Sequence, residues 1–170
     1  ALSEINLVNT FLQLLAGVTG YNSGLHRMTG STESASVKLL LLKFTAFSWI
    51  WGFGGNLDRD TRAKFDVLAQ SHLHRNGFRA AVPMVTEHAL FEYFIEPFVG
   101  SFTSFTEMMT RHPQNRVWGG TSVEYLTWTP EVMANKFVCN KMSAGGPLCM
   151  YGPMSAGKSL MVNEFVADMR

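Results

Sequence analysis

The sequence predicts an α/β fold in two parts: a helical unit, then the opening strand, loop and helix of a P-loop nucleotide-binding unit. Three observations carry this reading. Gly152, Pro153, Met154, Ser155, Ala156, Gly157, Lys158 and Ser159 match the phosphate-binding pattern GxxxxGK[ST]. Pro147 to Tyr151 ahead of them is a short apolar run of the kind that forms a buried parallel strand, and Lys158 to Met169 behind them places Met161, Phe165 and Met169 on one helical stripe. The composition shifts near Asn76, and the residues before it read as a cluster of helices.

Taken in order, Glu4 to Ala16 spaces Ile5, Val8, Leu12 and Leu15 along one face of an amphipathic helix, with Ser3 as N-cap and Gly17 as a stop. Gly17 to Ser36 mixes glycines with Ser, Thr and Asn and reads as a surface loop or a partly disordered connection. Val37 to Trp51 is apolar on nearly every side, and its uncharged stretch, Phe44 to Leu57, falls short of the roughly 20 residues a membrane span needs. It reads as a buried core helix ended by Gly52, Gly54 and Gly55. Asp58 or Asp60 caps the next helix, which carries Phe65, Leu68, Ala69 and Leu73 inward and closes at Gly77.

Ala89 to Glu96 has strand-like residues, Ser101 to Thr110 reads as a short helix with Phe102, Phe105 and Met109 inward, and His112 to Gly120 reads as a loop. Thr129 suits an N-cap, Pro130 the first helical position, and Glu131 complements the helix dipole. The helix they begin runs to about Ser143, ends at Gly145 and Gly146, and leads into the P-loop strand. No internal repeat is present.

With 170 residues and 46% hydrophobic content, the chain can bury one ordinary core or parts of two. A net charge of +1 gives no electrostatic footprint for nucleic acid, and no basic run points to an anionic membrane surface. Cys139, in a helix, and Cys149, in the P-loop strand, suit reduced core residues and a cytosolic-type compartment. No basic segment precedes an apolar one at the start, so no signal peptide is expected. A P-loop this near the last residue is expected to belong to a longer polypeptide.

The P-loop chemistry follows from residue types. Successive loop N–H groups and the helix N-terminus converge on phosphate oxygens, the Lys158 ammonium reaches the β and γ phosphates of ATP, or the β phosphate of ADP, and the Ser159 hydroxyl ligates Mg²⁺. Other candidates are weaker. His72 and His74 are spaced wrongly for a shared ligand face on a helix. Glu92 and Glu96 follow apolar residues as a magnesium-binding acid would, but they precede the P-loop, and solvated strand positions suit them better. Arg62 reads as a helix-surface salt bridge ahead of a trans-acting phosphate ligand, and Trp49 and Trp51 as core.

Trp49 to Asp66 (WIWGFGGNLDRDTRAKFD) resembles a stretch of dynein heavy chains with a Trp-Ser-x-Gly-Gly segment, Leu-Asp, Arg and Lys-Phe-Asp. Ile5 to Leu15 is similar to the family's "INLV" helix, Phe91 to Glu96 (FEYFIE) to its "FDYYVD" segment, and Gly146 to Ser159 to its "kPvLlvGPTGTGKT" loop. That order belongs to the region joining the second AAA+ module to the third. The resemblance covers most of the chain, leaving out Gly17 to Ser36 and His112 to Gly120.

The resemblance implies an AAA+ P-loop NTPase fragment: residues 1–75 as the helical lid of the second module, 76–121 as a connecting segment, and 122–170 as the start of the third α/β module. It implies a microtubule motor whose six AAA+ modules form a ring, with the main ATP hydrolysis in the first and regulatory nucleotide binding in others. The nucleotide set is then Gly152 to Ser159 with Leu160, joined by Leu126 and Thr127. Where this chain has Leu126, Thr127 and Trp128 the family has a Val-Pro-Thr adenine contact; this chain departs from it, and Leu126 and Thr127 supply an apolar edge and a backbone hydrogen bond.

Implied partners are microtubules, through distant parts of the full chain, dynein intermediate and light chains, and the other AAA+ modules of the same polypeptide. The implied place is the cytoplasm and cytoskeleton, in the axoneme of a cilium or flagellum; the isolated segment is not expected to be active. Ser155 replaces a family glycine where a positive φ is wanted, which costs a non-glycine residue roughly 1 to 2 kcal/mol and points to weakened binding or slow, regulatory turnover. The alternative reading is a non-motor AAA+ scaffold or remodelling protein that binds nucleotide structurally.

Overall fold

Helix packing in this chain is organised by three glycines. The computed structural model describes residues 4–20, 23, 25, 34–82, 90–111, 129–152, 154 and 157–168. Helix α1 (Glu4–Thr19) lies against α2 (Ser34–Gly54) on one side and against α5 (Pro130–Gly145) on another. A Cβ at Gly17 would run into the backbone carbonyl of Lys141, one at Gly145 would come within 2.5 Å of the Gln13 carbonyl oxygen, and one at Gly52 within 2.8 Å of the Phe11 Cα. The pairing of Gly17 with Lys141 and of Gln13 with Gly145 makes α1 and α5 antiparallel.

This close approach decides which face of α1 is buried. Leu14 and Val18 share a face with Gly17 and are fully buried, with Phe11 half-buried beside them. Most of the expected stripe points the other way: Ile5, Val8 and Leu12 are 72, 46 and 51% exposed, while Leu15 is half-buried against the core. Both stripes have helical spacing, and the glycine breaks the tie. The helix also runs through Gly17 to Thr19, because that glycine serves packing and not termination.

Helix α2 starts earlier and ends later than expected, and it is the core helix anticipated. Leu40, Phe44, Ala46, Phe47, Ile50 and Trp51 are all buried. By length and composition Ala35–Gly54 would also suffice for a membrane span; half of that stretch is buried against the rest of the protein.

Asp58, of the two candidates, caps α3 (Arg59–Arg75): its carboxylate accepts from the Thr61 N–H at 2.9 Å and the Thr61 hydroxyl at 2.8 Å. Gly77 closes the helix with φ +82°, while the Phe78 N–H donates to the Leu73 carbonyl at 3.0 Å. Ala69 and Leu73 are buried as expected, but Leu68 is 69% exposed and Asp66 is buried instead. Asp66 faces inward because its carboxylate accepts from the Leu90 N–H at 2.9 Å and the Gln70 amide at 3.2 Å, tying α3 to a 3₁₀ turn at Leu90–Glu92.

That turn leads into β1 (Tyr93–Ile95), which pairs antiparallel with β2 (Phe102–Ser104) in the register Tyr93↔Ser104, Phe94↔Thr103 and Ile95↔Phe102. The strand expected over Ala89 to Glu96 is thus shorter, and the helix expected from Ser101 starts only at Phe105, as α4 (Phe105–Arg111). Hairpin pairing claims Phe102, and the Ser104 hydroxyl caps α4 by accepting the Glu107 N–H at 3.1 Å. Lys43 of α2 donates to the carbonyl of Gly100 in the hairpin turn at 2.7 Å.

Thr129 caps α5 as its sequence signalled, its hydroxyl accepting the Val132 N–H at 3.2 Å, and the helix runs on to Gly145. Phe137 carries α5 into the core. Its ring meets Phe47 edge-on at 5.8 Å, Phe94 at 4.9 Å and Phe105 at 6.1 Å, while Trp51 meets Phe91 and Phe105 edge-on at 5.3 and 5.9 Å. The helix that leads into the P-loop segment therefore shares its core with the helices at the start of the chain.

Two expectations fail at residues 147–151. The strand does not form: Pro147, Cys149 and Tyr151 are exposed, and the segment pairs with nothing regular. A parallel strand needs neighbours on both edges and helices on both faces, and β1 and β2 form the one sheet among the described residues. Cys149 accordingly is exposed and not a core residue; it and Cys139 are free thiols. The described fold is mostly helical with one two-stranded antiparallel sheet, and the α/β opening expected from the P-loop onward is not formed within it.

Four outcomes follow from this packing, each read from urea unfolding of the chain. Phe137→Ala lowers stability by about 3 to 5 kcal/mol, and Thr129→Ala by about 1 kcal/mol, as midpoint shifts at unchanged slope. Gly17→Ala destabilises although alanine is the better helix former by about 1 kcal/mol, because its methyl group enters the Lys141 backbone; an unchanged or raised midpoint would disprove the close approach. The fourth concerns acid. The Thr61 N–H holds the Asp58 carboxyl below its ordinary value, with help from the Thr61 hydroxyl. The cap's contribution is then complete above the unfolded carboxylate range and lost as pH falls through the lower folded value. Asp58→Asn should flatten that acid limb in a pH series.

Candidate functional site

A phosphate-binding loop needs backbone N–H groups presented at a helix start, a glycine able to take positive φ, and a mobile cation. Helix α6 (Lys158–Asp168) opens directly after Gly157, whose φ is +76° and whose missing Cβ would meet no atom within 4 Å. The first intrahelical bond runs from the Met161 N–H to the Gly157 carbonyl at 3.0 Å. The N–H groups of Lys158, Ser159 and Leu160 therefore lead the helix without intrahelical acceptors, at its positive dipole end.

The Lys158 side chain folds back over the loop. Its ammonium donates to the Gly152 carbonyl at 3.0 Å, with the stem passing Gly152 so that a Cβ there would make ordinary contact, 3.9 Å from Lys158 Cδ. The structure thus gathers Gly152, Gly157, Lys158, Ser159 and Leu160 around one helix start. Ser159 is exposed and Leu160 half-buried, while Met154 is 94% exposed in the turn. Pro153, Ser155 and Ala156, and the adenine-edge candidates Leu126 and Thr127, lie outside the described residues. The gathered set offers donors and a cation, suited to an anion, with the Ser159 hydroxyl accessible for a metal bound to that anion.

Helix α6 is held to α5 by a contact that the sequence did not signal. Met161 is buried as expected and Phe165 is half-buried, while Met169 lies outside the described residues. Between them Glu164 is buried, and its Oε2 stands 3.6 Å from Nζ of buried Lys136, with each side chain 10% exposed. Acid and base are 28 residues apart in sequence by subtraction of their numbers (164 − 136), with no periodic pattern linking them. From α1, the Gln13 amide reaches the Pro147 carbonyl at 3.5 Å, so α1 touches the segment entering the loop.

The other candidates have structural roles. The Arg62 guanidinium lies over the rings of Phe91 at 4.9 Å and Trp51 at 5.8 Å and donates to the Gly55 carbonyl at 2.7 Å. Burial pushes its pKa down, with the charge of Glu131 opposing. It is a half-buried stacking arginine in place of the expected surface salt bridge. His72 stacks on Trp49 at 5.6 Å, and among the described residues no three His, Cys, Asp or Glu side chains are grouped to hold a metal. Glu92 is exposed in the 3₁₀ turn and Glu96 is half-buried at the hairpin turn. Trp51 is core as expected; Trp49 is half-buried against Phe53 and Phe65. Burial raises the pKa of the half-buried Cys139 thiol and lowers that of Lys141, which lies over the Phe137 ring at 5.5 Å.

The sequence has counterparts among known proteins. Residues 1–107 match the model of the dynein heavy chain AAA lid domain, so the match takes in α1 to α3, both strands and the start of α4. The chain is also similar to human dynein axonemal heavy chain 3, at 25% identity over 149 residues, which covers 81% of this chain and 4% of that relative. It spans a small part of that relative's length. With the lid-domain match extending over more than half of its residues, and an axonemal heavy chain similar over most of it, this chain belongs to the dynein heavy chains, in their AAA lid domain family.

Proposed function

We propose that this chain serves an ATP-driven microtubule motor as the joint between two AAA+ modules: the helical lid of the second, over residues 1–75, and the P-loop of the third, within residues 122–170. The observation that carries the nucleotide part is the helix start at Lys158, where Gly157 takes positive φ, three leading N–H groups lack helical acceptors and the Lys158 ammonium hangs over Gly152. Lid-family membership supports the motor part, and similarity to an axonemal heavy chain supports a place in the axoneme of a cilium or flagellum. Microtubules, intermediate and light chains, and the neighbouring modules are the partners this reading implies.

The residues present fit ATP or ADP with Mg²⁺. Gly152, Met154, Gly157, Lys158, Ser159 and Leu160 would hold the phosphates through main-chain N–H groups and the ammonium, with Pro153, Ser155 and Ala156 completing the loop. Leu126 and Thr127 would meet the base, and Ser159 would carry the metal. Bound nucleotide supplies the phosphoanhydride whose occupancy the ring senses. The chain's own part is to fix it: Lys158 must exchange the Gly152 carbonyl for phosphate oxygens, a gain because the ammonium then faces opposite charge in place of a neutral acceptor. A glycine-poor loop centred on Ser155 favours holding nucleotide over turning it over quickly.

The test uses the full-length heavy chain. Lys158→Ala removes a charge-assisted contact of about 1.5 to 3 kcal/mol, equivalent to a ten- to hundredfold loss of affinity at this module. Titration with a fluorescent ADP analogue should show about one high-affinity site fewer, with basal ATPase retained from the other modules. Unchanged stoichiometry would remove this loop from the nucleotide sites, and complete loss of ATPase in a folded variant would make it the main engine.

A further inference from the structure

The ion pair between α5 and α6 has features that simple adhesion does not need. Lys136 and Glu164 are each about nine-tenths buried, and their nearest atoms stand 3.6 Å apart. Hydrogen-bonded ammonium–carboxylate pairs close to roughly 2.7 to 2.9 Å, and Glu164 Oε2 has no hydrogen-bond partner at all. A buried pair in this state contributes little net stability, because desolvation offsets most of the attraction. It is, however, very sensitive to position: movement of α6 by about an ångström either completes the hydrogen bond or leaves the buried Glu164 carboxylate uncompensated.

Its two ends sit on quite different supports. Lys136 adjoins Phe137, whose ring is locked among Phe47, Phe94 and Phe105 in the lid's core. Glu164 lies on the short helix that begins at Lys158, fewer than two turns from the phosphate-binding N-terminus. Whatever repositions the start of α6 is therefore felt at Glu164. It passes through one charge contact into α5, and through the Gly17 and Gly145 close approaches into α1.

We infer that Lys136 and Glu164 are positioning residues through which the phosphate-binding helix and the helical lid sense one another. Nucleotide at the loop draws α6 into register and closes the pair, and α5 with its aromatic anchor is tightened in turn. This inference rests on the reading of Gly152 to Ser159 as a nucleotide site, and its test separates the two.

The experiment is hydrogen exchange of the full-length heavy chain with and without MgADP, followed in peptides covering residues 158–168 and 130–145. In the native protein MgADP should slow exchange in both. Lys136→Met should raise exchange in 158–168 without nucleotide by about a hundredfold, the size expected when one half of a buried pair is left uncompensated. It should also abolish the MgADP response of 130–145. Glu164→Gln, which keeps the side chain's shape and removes its charge, should abolish that response too if Lys136→Met folds poorly. The exchanged pair, Lys136→Glu with Glu164→Lys, should restore it, which a loss of packing alone would not allow. If MgADP leaves 158–168 unchanged in the native protein, the nucleotide reading itself fails. If 158–168 responds while 130–145 responds equally with and without the pair, or if the exchanged pair restores nothing, the positioning role is overturned.

Discussion

Everything in this chain depends on how closely α1 and α5 approach. Two helices normally pack with their axes 8 to 10 Å apart, a separation set by the side chains between them. Here Gly17 and Gly145 remove those side chains at two successive crossings, so backbone meets backbone. The consequence is geometric before it is energetic. With α1 pressed onto α5 by one face, Leu14 and Val18 turn into the space shared with α2, and Gly52 allows α2 to come as near from its own side. The aromatic cluster of Phe47, Trp51, Phe94, Phe105 and Phe137 then fills the volume these helices enclose, in edge-to-face and tilted contacts that aromatic rings prefer to stacking face to face.

That geometry blurs the division between modules suggested by the sequence motifs. The helix led by Thr129 and Pro130 precedes a P-loop and so reads as the beginning of a new unit. Yet its Met133, Ala134 and Phe137 are buried in the same core as the first helices. On the proposed reading, a helix with one end in the lid's core and the other leading into the P-loop segment is a rigid connector. A linker rich in glycine and serine would let neighbouring modules move independently; sixteen helical residues packed along α1 do not.

Legibility in the sequence followed the range of the interaction. Caps and helix ends rest on contacts within a few residues, and Asp58, Gly77 and Thr129 were all readable from local chemistry. The core character of Phe44 to Trp51 was readable too, since a helix apolar all round has few alternatives to burial. What could not be read needed partners far along the chain. Two apolar stripes on α1 were equally periodic, and only Gly17 against Lys141 chose between them. Buried Asp66 depended on the Leu90 N–H, and the strand at Phe102 depended on Tyr93 to Ile95. At the candidate site, the loop pattern gave Gly152 to Ser159 directly, while Glu164 and its lysine gave no signal. The strand before the loop failed for the complementary reason: its apolar residues are right for a parallel sheet, but a strand is a property of its neighbours as well as of itself.

The loop itself illustrates why motif and site are separate things. Lys158 satisfies its ammonium on the Gly152 carbonyl, a neutral acceptor that contributes less than a phosphate oxygen would. The bond holds the two ends of the loop together across the residues between them, so the cation that attracts an anion also keeps the loop compact before one arrives. Exchange of that carbonyl for phosphate oxygens would free the Gly152 end while fixing the Lys158 end. On that reading any strain in the exchange passes along α6, on which the buried Glu164 carboxylate faces Lys136 at 3.6 Å. On the proposed reading, the electrostatics of the loop and the packing of the lid are a single problem, because the helix proposed to present amides to phosphate meets α5 through a buried charge pair.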